Sequence, residues 1–579
     1  MRLVSVFFLS ALVAVHNSSA RAQSLIGADL GAQEFNRQQE RERLLREQQE
    51  RMPDVQLDRP EVDVIAKRLP VNESPCFHIH TIVLAGEAAE KFQSLLRVAD
   101  IAGDGSADVA TGRCLGTSAI NLVMKRLQNA LVSDGYVTSR VLAPPQDLSG
   151  GVLTLHLLPG RVHRLRFADD TATRATLWNA VPVQAGALLK LSDIEQALEN
   201  FKRLPSVEAA IEITPADHAA DSPGDSPGES DIVISWQQRR PFRLSLSADD
   251  AGSRATGKYQ GALTLSYDHW WTLNDLFYVS VHHDLGKGDP GPRGTAGQTV
   301  HYSLPFGYWL LGVTASRNHY WQAVTGAVDT QIYRGDLRAQ EVRLSRLVYR
   351  SVHRKTTLYV SGWHRASNNT IDNVEVQVQR RRMAGWEFGV ANRDYLGSGT
   401  LDLSASYRRG TGANGSLRAP EEAFGDGTSR PRILTLGALL TMPFALRAQR
   451  LRYTAALRGQ VNDTPLIVQD RFAIGSRATV RGFDNTQLLL AERGWFTRND
   501  LSLALGQTGS ALYLGLDYGE VGGPATTLFA GRHLSGATLG LQGAVKNLFY
   551  DFFISRPLSA PAFLRPLSTQ FGFSLNASY

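Results

Sequence analysis

Leu451, Tyr453, Ala455, Leu457 and Gly459 alternate with Arg452, Thr454, Ala456, Arg458 and Gln460. A strand with leucine on one face and arginine on the other is poorly placed between two layers of a protein core. One face must meet an apolar medium and the other water. The same two-residue period runs through Tyr259 to Tyr267, Phe277 to His282, Leu401 to Arg408 and Leu512 to Gly519. It also ends the chain, where Phe571, Phe573, Leu575, Ala577 and Tyr579 alternate with Gln570, Gly572, Ser574, Asn576 and Ser578. A soluble edge strand could look like this last segment alone. The repetition points instead to a transmembrane barrel with a wet lumen, closed by its final strand. Only alternate residues of such a barrel meet lipid, so a chain that is 43% hydrophobic and 20% charged fits it. A helical membrane protein does not fit, because no stretch beyond the N-terminal region approaches the roughly eighteen continuous apolar residues of a spanning helix. Residues 238–579, at roughly 20 residues per strand and connection, predict on the order of 16 strands.

The chain ahead of the barrel changes character several times. Residues 1–22 combine Arg2, a short apolar run from Leu3 to Val15 and Ala20-Arg21-Ala22, the pattern of a secretory signal peptide cleaved before Gln23. Residues 23–51 contain an almost wholly polar stretch of helix formers, Glu34 to Arg51. A helix polar on all sides has no core to join. It is either solvated or a plug inside a hydrophilic pore. Residues 52–75, with Pro53, Pro60, Pro70 and Pro75, read as a linker that gives such a plug slack.

Residues 76–160 then read as a small α/β unit. Its strands are expected at Phe77 to Leu84, Tyr136 to Leu142 and Val152 to Leu158, and its helices at Ala88 to Ala99 and Ser118 to Ser133. Residues 161–237 repeat that order. Strands are expected at Val162 to Phe167, Val207 to Thr214 and Asp231 to Trp236. A short helix is expected at Ala172 to Ala180 and a better one at Ser192 to Lys202, capped by Ser192 or Asp193. A flexible insert repeating Asp-Ser-Pro-Gly lies between the last two strands. Two such units suggest a periplasmic binding array. The two cysteines, Cys76 and Cys114, are expected to form a disulfide in an exported protein, the alternative being two buried thiols.

One connection in the barrel region is far too long for a hairpin, running from about residue 462 to 493. It holds Val480, Arg481, Gly482 and Phe483. By strand parity Asp517 faces the lumen, with Gly515 and Gly519 on the same face leaving room for a close approach. Arg481 could reach Asp517 through a directional two-pronged ion pair; read alone, it could equally be a surface arginine.

Val480-Arg481-Gly482-Phe483 resembles the tip of the long inward-folded loop of two-partner secretion transporters, the TpsB family (ShlB/FhaC-like). That family shares a superfamily with the barrel-assembly protein BamA. Asp517-Tyr518-Gly519 resembles the wall motif that pairs with the loop arginine. Pro75-Cys76-Phe77, Gly112-Arg113-Cys114-Leu115 and Asp134 to Ser139 resemble the family's first POTRA domain, and Pro144 to Asp147 with Gly160-Arg161 resemble its end. The resemblance implies a mainly β protein: a 16-stranded transmembrane β-barrel preceded by two small α/β POTRA domains and an N-terminal plug helix. The last is matched by composition and place rather than by motif.

The function that the resemblance implies is that of an outer-membrane translocase of a Gram-negative bacterium, with its POTRA domains in the periplasm. It would export one large secreted partner of the TpsA type, an adhesin, haemolysin or contact-dependent toxin. The partner would be captured through its N-terminal secretion domain and passed in extended form. Val480, Arg481, Gly482, Phe483, Asp517 and Gly519 would tether the loop. The alternative is a BamA-like factor inserting other barrels, although those relatives carry more POTRA units and lack a plug helix; a passive porin would need no POTRA units. An enzyme is not expected: Ile474 to Ala478 is a poor nucleophile elbow, and His282 and His283 point to opposite faces of a strand. No metal or other cofactor and no nucleic-acid partner are expected, the net charge of +6 being mild and its arginines dispersed. The protein is expected to sit in outer-membrane lipid as a monomer.

Overall fold

A computed structural model of the chain describes residues 31–50, 53–59, 68–102, 104–216, 228–326, 329–564 and 568–579. The signal-peptide reading lies outside these residues, as does most of the Asp-Ser-Pro-Gly insert.

Sixteen antiparallel strands close into a barrel. The first, Phe242–Asp249, pairs with the last, Gln570–Ser578. That seam is short, reaching only from Ser574 opposite Asp249 to Ser578 opposite Ser245. Neighbouring strands elsewhere run longer, as from Trp309 opposite Arg346 to Thr325 opposite Thr330. The alternation has the expected consequence: Leu514 is 52% exposed on the outside while Asp517 is 4% exposed on the inside. Leu263, Leu265, Leu436, Leu457, Phe552 and Ile554 continue the outer apolar face. The lumen is less uniformly polar than alternation implies. Phe496, Val521 and Leu534 form an inward apolar patch, and they are covered by Phe472, Ile474, Val480 and Leu489 of the long connection.

The first α/β unit has a helix at Thr117–Ser133 packed by Leu122, Val123, Leu127 and Leu131 against Leu153 and Leu155 of the strand Val152–Leu158. Three expectations are corrected here. The expected strand Phe77 to Leu84 splits into Phe77–Ile79 and Thr81–Ala85, which join different sheets, because the N–H groups of His80 and Thr81 both turn to the carbonyl of Gly151. The segment Ala89–Asp100 winds as a 3-10 helix; its apolar residues Ala89, Phe92 and Leu95 recur every three, the period at which side chains of that helix eclipse. Tyr136 to Leu142 keeps only Arg140–Leu142 as strand, Tyr136 turning in to pack edge-on against Phe92. Cys76 and Cys114 are disulfide-bonded with Cα atoms 5.3 Å apart. The bridge joins the short paired strands Phe77–Ile79 and Arg113–Leu115.

In the second unit the strand Glu229–Gln238 pairs with Arg161–Phe167 in parallel and with Val207–Pro215 antiparallel. The expected helix at Ala172 to Ala180 is a run of turns, the carbonyls of Arg174 and Thr176 being taken by the side chains of His269 (2.8 Å) and Asn274 (2.9 Å). The helix Leu191–Lys202 takes Lys190 as its N-cap residue, without a side-chain cap. Ser192 and Asp193 lie inside it, and Asp193 accepts from the hydroxyl of Tyr308 on a barrel turn. Trp236 is fully buried where this unit meets the barrel, in one apolar cluster with Leu276 and Tyr278 of the barrel wall. Arg203 donates to the carbonyl of Asn274 (2.9 Å) and to Ser303 Oγ (2.6 Å). Asn200 donates to the carbonyl of Gly307 (2.8 Å). The second unit is therefore seated on the barrel turns at that end.

Candidate functional site: the loop tip, the wall and the plug

The connection between the strands Gln449–Asn462 and Arg493–Ala504 folds back into the lumen. It is not structureless, because Phe472–Ile474 pairs with Leu489–Ala491 as its own two-stranded ladder. Arg471 bridges Glu492 at 3.2 Å across its base. Beyond the ladder the chain turns at Gly475 and Gly482, both with positive φ (102° and 108°), where a side chain would be strained.

Arg481 sits at the tip and is buried. Its Nε donates to Asp517 Oδ2 (2.7 Å) and its Nη2 to Asp517 Oδ1 (2.6 Å), a forked pair. Its backbone N–H also donates to Asp517 Oδ2 (2.9 Å), and Nη2 reaches Asp500 Oδ1 (2.6 Å). Arg498, paired in register with Asp517 on the adjacent strand, donates to the carbonyls of Arg477 and Ala478 (both 3.4 Å). Two arginines and two aspartates thus balance at the contact.

Glycines make this approach possible. A Cβ on Gly515 would lie 2.4 Å from Arg481 Nη2, and one on Gly519 would lie 2.9 Å from Val480 Cγ2. On Gly536 it would lie 1.9 Å from the Arg481 carbonyl oxygen. Gly482 itself passes so close to Arg556 and Pro557 that its own Cβ would meet their backbone at 2.9 Å. Val480 is fully buried against Gly519, and Phe483 packs at the edge of the same apolar cluster. The structure therefore brings Val480, Arg481, Gly482, Phe483, Asp517 and Gly519 together; Cys76 and Cys114 lie apart, in the first α/β unit.

The N-terminal helix, residues 31–49 among those described, lies inside the barrel. Polar over most of its surface, with Ala32, Phe35 and Leu45 packed in apolar clusters, it finds partners on the lumen wall. Glu34 accepts from Thr256 (3.0 Å), Gln49 from Ser266 (2.9 Å), and Arg46 pairs with Glu341 (2.9 Å). Arg37 donates to the carbonyl of Asn485 (2.6 Å) at the loop tip, so helix and loop touch. Asn485 Oδ1 in turn accepts from the N–H of Arg477 (2.9 Å).

Several partners escaped the sequence reading. Asp500 was missed because its strand was not recognised; lumen parity through Arg498, Asp500 and Ser502 was the available signal. Arg477 donates to Asp250 (3.1 Å) and to the carbonyl of Phe573 (2.7 Å), reaching both sides of the barrel seam. Arg365 meets Asp470 at 2.5 Å and lies over Phe35 of the helix. Nothing local in the sequence joins those residues. His282 and His283 form no site: His283 is exposed and shares no cluster of metal-type ligands with His282 among the described residues.

A closed sixteen-strand barrel, a folded-in loop, a helix in the pore and two α/β units on one end define an outer-membrane transporter whose pore is occupied. The chain belongs to the haemolysin secretion/activation family ShlB/FhaC/HecB, which matches residues 228–543. The ShlB-type POTRA domain matches residues 77–160, and a further POTRA domain matches residues 161–215. The outer membrane transporter CdiB-2 of Burkholderia pseudomallei is 35% identical over 554 residues, covering 94% of this chain and 93% of the relative. The haemolysin transporter protein HpmB of Proteus mirabilis is 24% identical over 71% of each chain. The solved structure of CdiB from Acinetobacter baumannii superposes with a TM-score of 0.81 at 28% identity, covering 95% of this chain and 99% of that one. The protein is thus an outer-membrane transporter of the two-partner secretion kind, its POTRA domains in the periplasm.

Proposed function

We propose that this transporter exports one large partner protein from the periplasm to the cell surface. The partner's N-terminal secretion domain engages the POTRA domains, and the chain then crosses the barrel in extended form. The observation that carries the reading is the occupied lumen. A barrel sealed by a helix held mainly through polar contacts that water can replace, and by a loop that adds an apolar contact to its ion pairs, suits a conduit opened on demand rather than a passive pore. The likeness to transporters named CdiB favours a partner of the kind those proteins handle over a haemolysin. Arg481, Asp517 and the small or apolar residues around them act as a tether for the loop, with no part in bond chemistry. The protein works as a monomer in outer-membrane lipid, without cofactor or nucleic acid.

The test is co-expression in a Gram-negative host that lacks such a transporter, with the large secreted protein encoded beside it. Surface display of the partner should require both proteins. Display without the transporter, or improved insertion of unrelated barrels in place of export, would overturn the reading, the second outcome favouring an assembly factor.

A further inference from the structure

The segment expected to give the plug slack is held along part of its length. Residues 53–59 alternate in burial: Val55, Leu57 and Arg59 are half-buried while Asp54, Gln56 and Asp58 are exposed, the pattern of an extended strand. Among the described residues no strand pairs with it. Instead the N–H of Val55 donates to Glu199 Oε1 and that of Leu57 to Glu195 Oε1, both at 3.1 Å. Glu195 and Glu199 stand one turn apart on the helix Leu191–Lys202 of the second POTRA domain, and both are buried. Their remaining capacity is met from the barrel. Arg350 donates to Glu195 (2.9 Å), to Glu199 (3.0 Å) and to the carbonyl of Val55 (2.5 Å). Lys355 donates to Glu199 at 2.6 Å. The side chains of Val55 and Leu57 pack against the apolar core of the same domain.

We propose that Glu195, Glu199 and Arg350 form a binding site for the main chain of an extended polypeptide, and that residues 53–59 occupy it as a placeholder for the exported partner. The site reads two N–H groups at positions i and i+2, one carbonyl at i, and apolar side chains at i and i+2. It reads main chain and apolar bulk, as a conduit for a long and varied chain requires; the side chain of Asp54, held by Arg393 (3.2 Å) and Tyr395 (2.5 Å), adds a contact particular to the resident segment. The occupant must leave when the plug does. Residues 31–49 span about 28 Å of helix, and only three residues separate the helix from Pro53, a reach of roughly 10 Å. Withdrawal of the plug along its axis therefore strips Val55 and Leu57 from the carboxylates. Arg350 and Lys355 stay behind and hold the acid pair in place, and an incoming extended segment restores the lost hydrogen bonds. The proposal rests on the reading that the partner crosses unfolded.

The probe is a fluorescent peptide with the sequence of residues 53–59, titrated by anisotropy against the full-length transporter. A tethered competitor acts at a high effective concentration, so the wild type should bind it weakly. The double variant Val55→Pro with Leu57→Pro lacks both N–H donors and leaves the pairs of Arg350 and Lys355 with Glu195 and Glu199 in place. It should bind the peptide at least tenfold more tightly. A peptide N-methylated at the residues matching Val55 and Leu57 should bind at least tenfold more weakly than its parent. Heat-modifiable migration verifies the barrel, and a chain lacking residues 23–59 provides a second open site with the same expected binding. Equal binding of the two peptides, or no binding to either altered transporter, would overturn the site. The assay needs no exported partner, so a transporter that exports yet ignores the peptide refutes the site alone. One that binds the peptide yet exports nothing refutes the export reading alone.

Discussion

Gly515→Ala tests the loop tether without changing a charge. The added Cβ would fall 2.4 Å from Arg481 Nη2 and 2.6 Å from Asp500 Oδ1. Ordinary contact needs about 3.4 Å, so the guanidinium must retreat by about 1 Å. Nη2 bonds Asp517 Oδ1 and Asp500 Oδ1, both at 2.6 Å. A retreat of that size takes both beyond hydrogen-bonding range, while the Nε and backbone bonds to Asp517 Oδ2 survive. Each lost charge-assisted bond is worth roughly 1.5–3 kcal/mol, and water entering the gap returns part of it. A net loss of about 2–4 kcal/mol shifts the docked-to-undocked equilibrium by roughly thirty- to several-hundred-fold.

The readout is trypsin added to intact cells. A docked loop buries Arg481 and shields Arg477, whereas an undocked loop offers both for cleavage. Gly515→Ala should be cut within the loop while the barrel remains heat-modifiable, and export of the partner should fall in step. Arg481→Lys should behave alike, since lysine keeps the charge but cannot form the fork. If Gly515→Ala stays as resistant and as active as wild type, the fork does not hold the loop and the tether argument fails.

Arg477→Ala removes two bonds that join Asp250 and Phe573 across the short barrel seam. The folded barrel should lose about 1–3 kcal/mol and lose its heat-modifiable form at a lower temperature on gels, with the seam strands exchanging amide hydrogen faster. In the first POTRA domain, burial alone would raise the Asp108 carboxyl, but donation from Arg126 (2.6 Å), the N–H of Leu69 (2.8 Å) and Arg113 (3.1 Å) outweighs it and holds the group below the ordinary carboxylate range. A depressed acid contributes stability above its unfolded pKa of about 3.9 and loses it as pH falls through the lower folded value. The helix-detected melt of this domain should therefore drop below about pH 4, and Asp108→Asn should lower it at neutral pH while flattening that acid dependence.

How much was legible depends on which interactions are local. The barrel was legible because alternation is written residue by residue, and Asp517 because parity alone turns it inward. The Val480 to Phe483 tip was legible through resemblance, since its chemistry lies 36 residues away in sequence. Asp500 was legible in principle, by parity on the strand that follows the loop, whereas Asp250 and Asp470 were not: each becomes a partner only when segments distant in sequence meet in the closed barrel. The short helix expected at Ala172 to Ala180 failed for a similar reason, the carbonyls of Arg174 and Thr176 meeting the side chains of His269 and Asn274 on a distant barrel turn. The hold on residues 53–59 of the linker was not legible because their hydrogen-bond acceptors, Glu195 and Glu199, lie some 140 residues further on.

The tip contact is an ion pair buried only by the loop that carries half of it, and this separates opening from mutation. Removing Arg481 would leave Asp517 buried without its fork, at a cost on the order of 3–5 kcal/mol. Lifting the loop instead returns both partners to a wet lumen, where hydration replaces most of what the pair supplied. The ion pair is therefore stiff against small displacements, which stretch bonds of 2.6–2.7 Å, and weak against full release, which the loop's packing on Phe496, Val521 and Leu534 still opposes. The helix is held in the same way, by Glu34, Gln49 and Arg46 on wall groups that water can satisfy. Arg37 joins the two seals at Asn485, so withdrawal of the helix removes one support of the loop. The loop carries an apolar cost as well: lifting it bares Phe472, Ile474, Val480 and Leu489 together with the wall patch Phe496, Val521 and Leu534, at about 25 cal/mol for every Å². The helix, whose packed apolar residues are Ala32, Phe35 and Leu45, carries less of that penalty, which is the physical reason a mostly polar helix suits a pore that must also open.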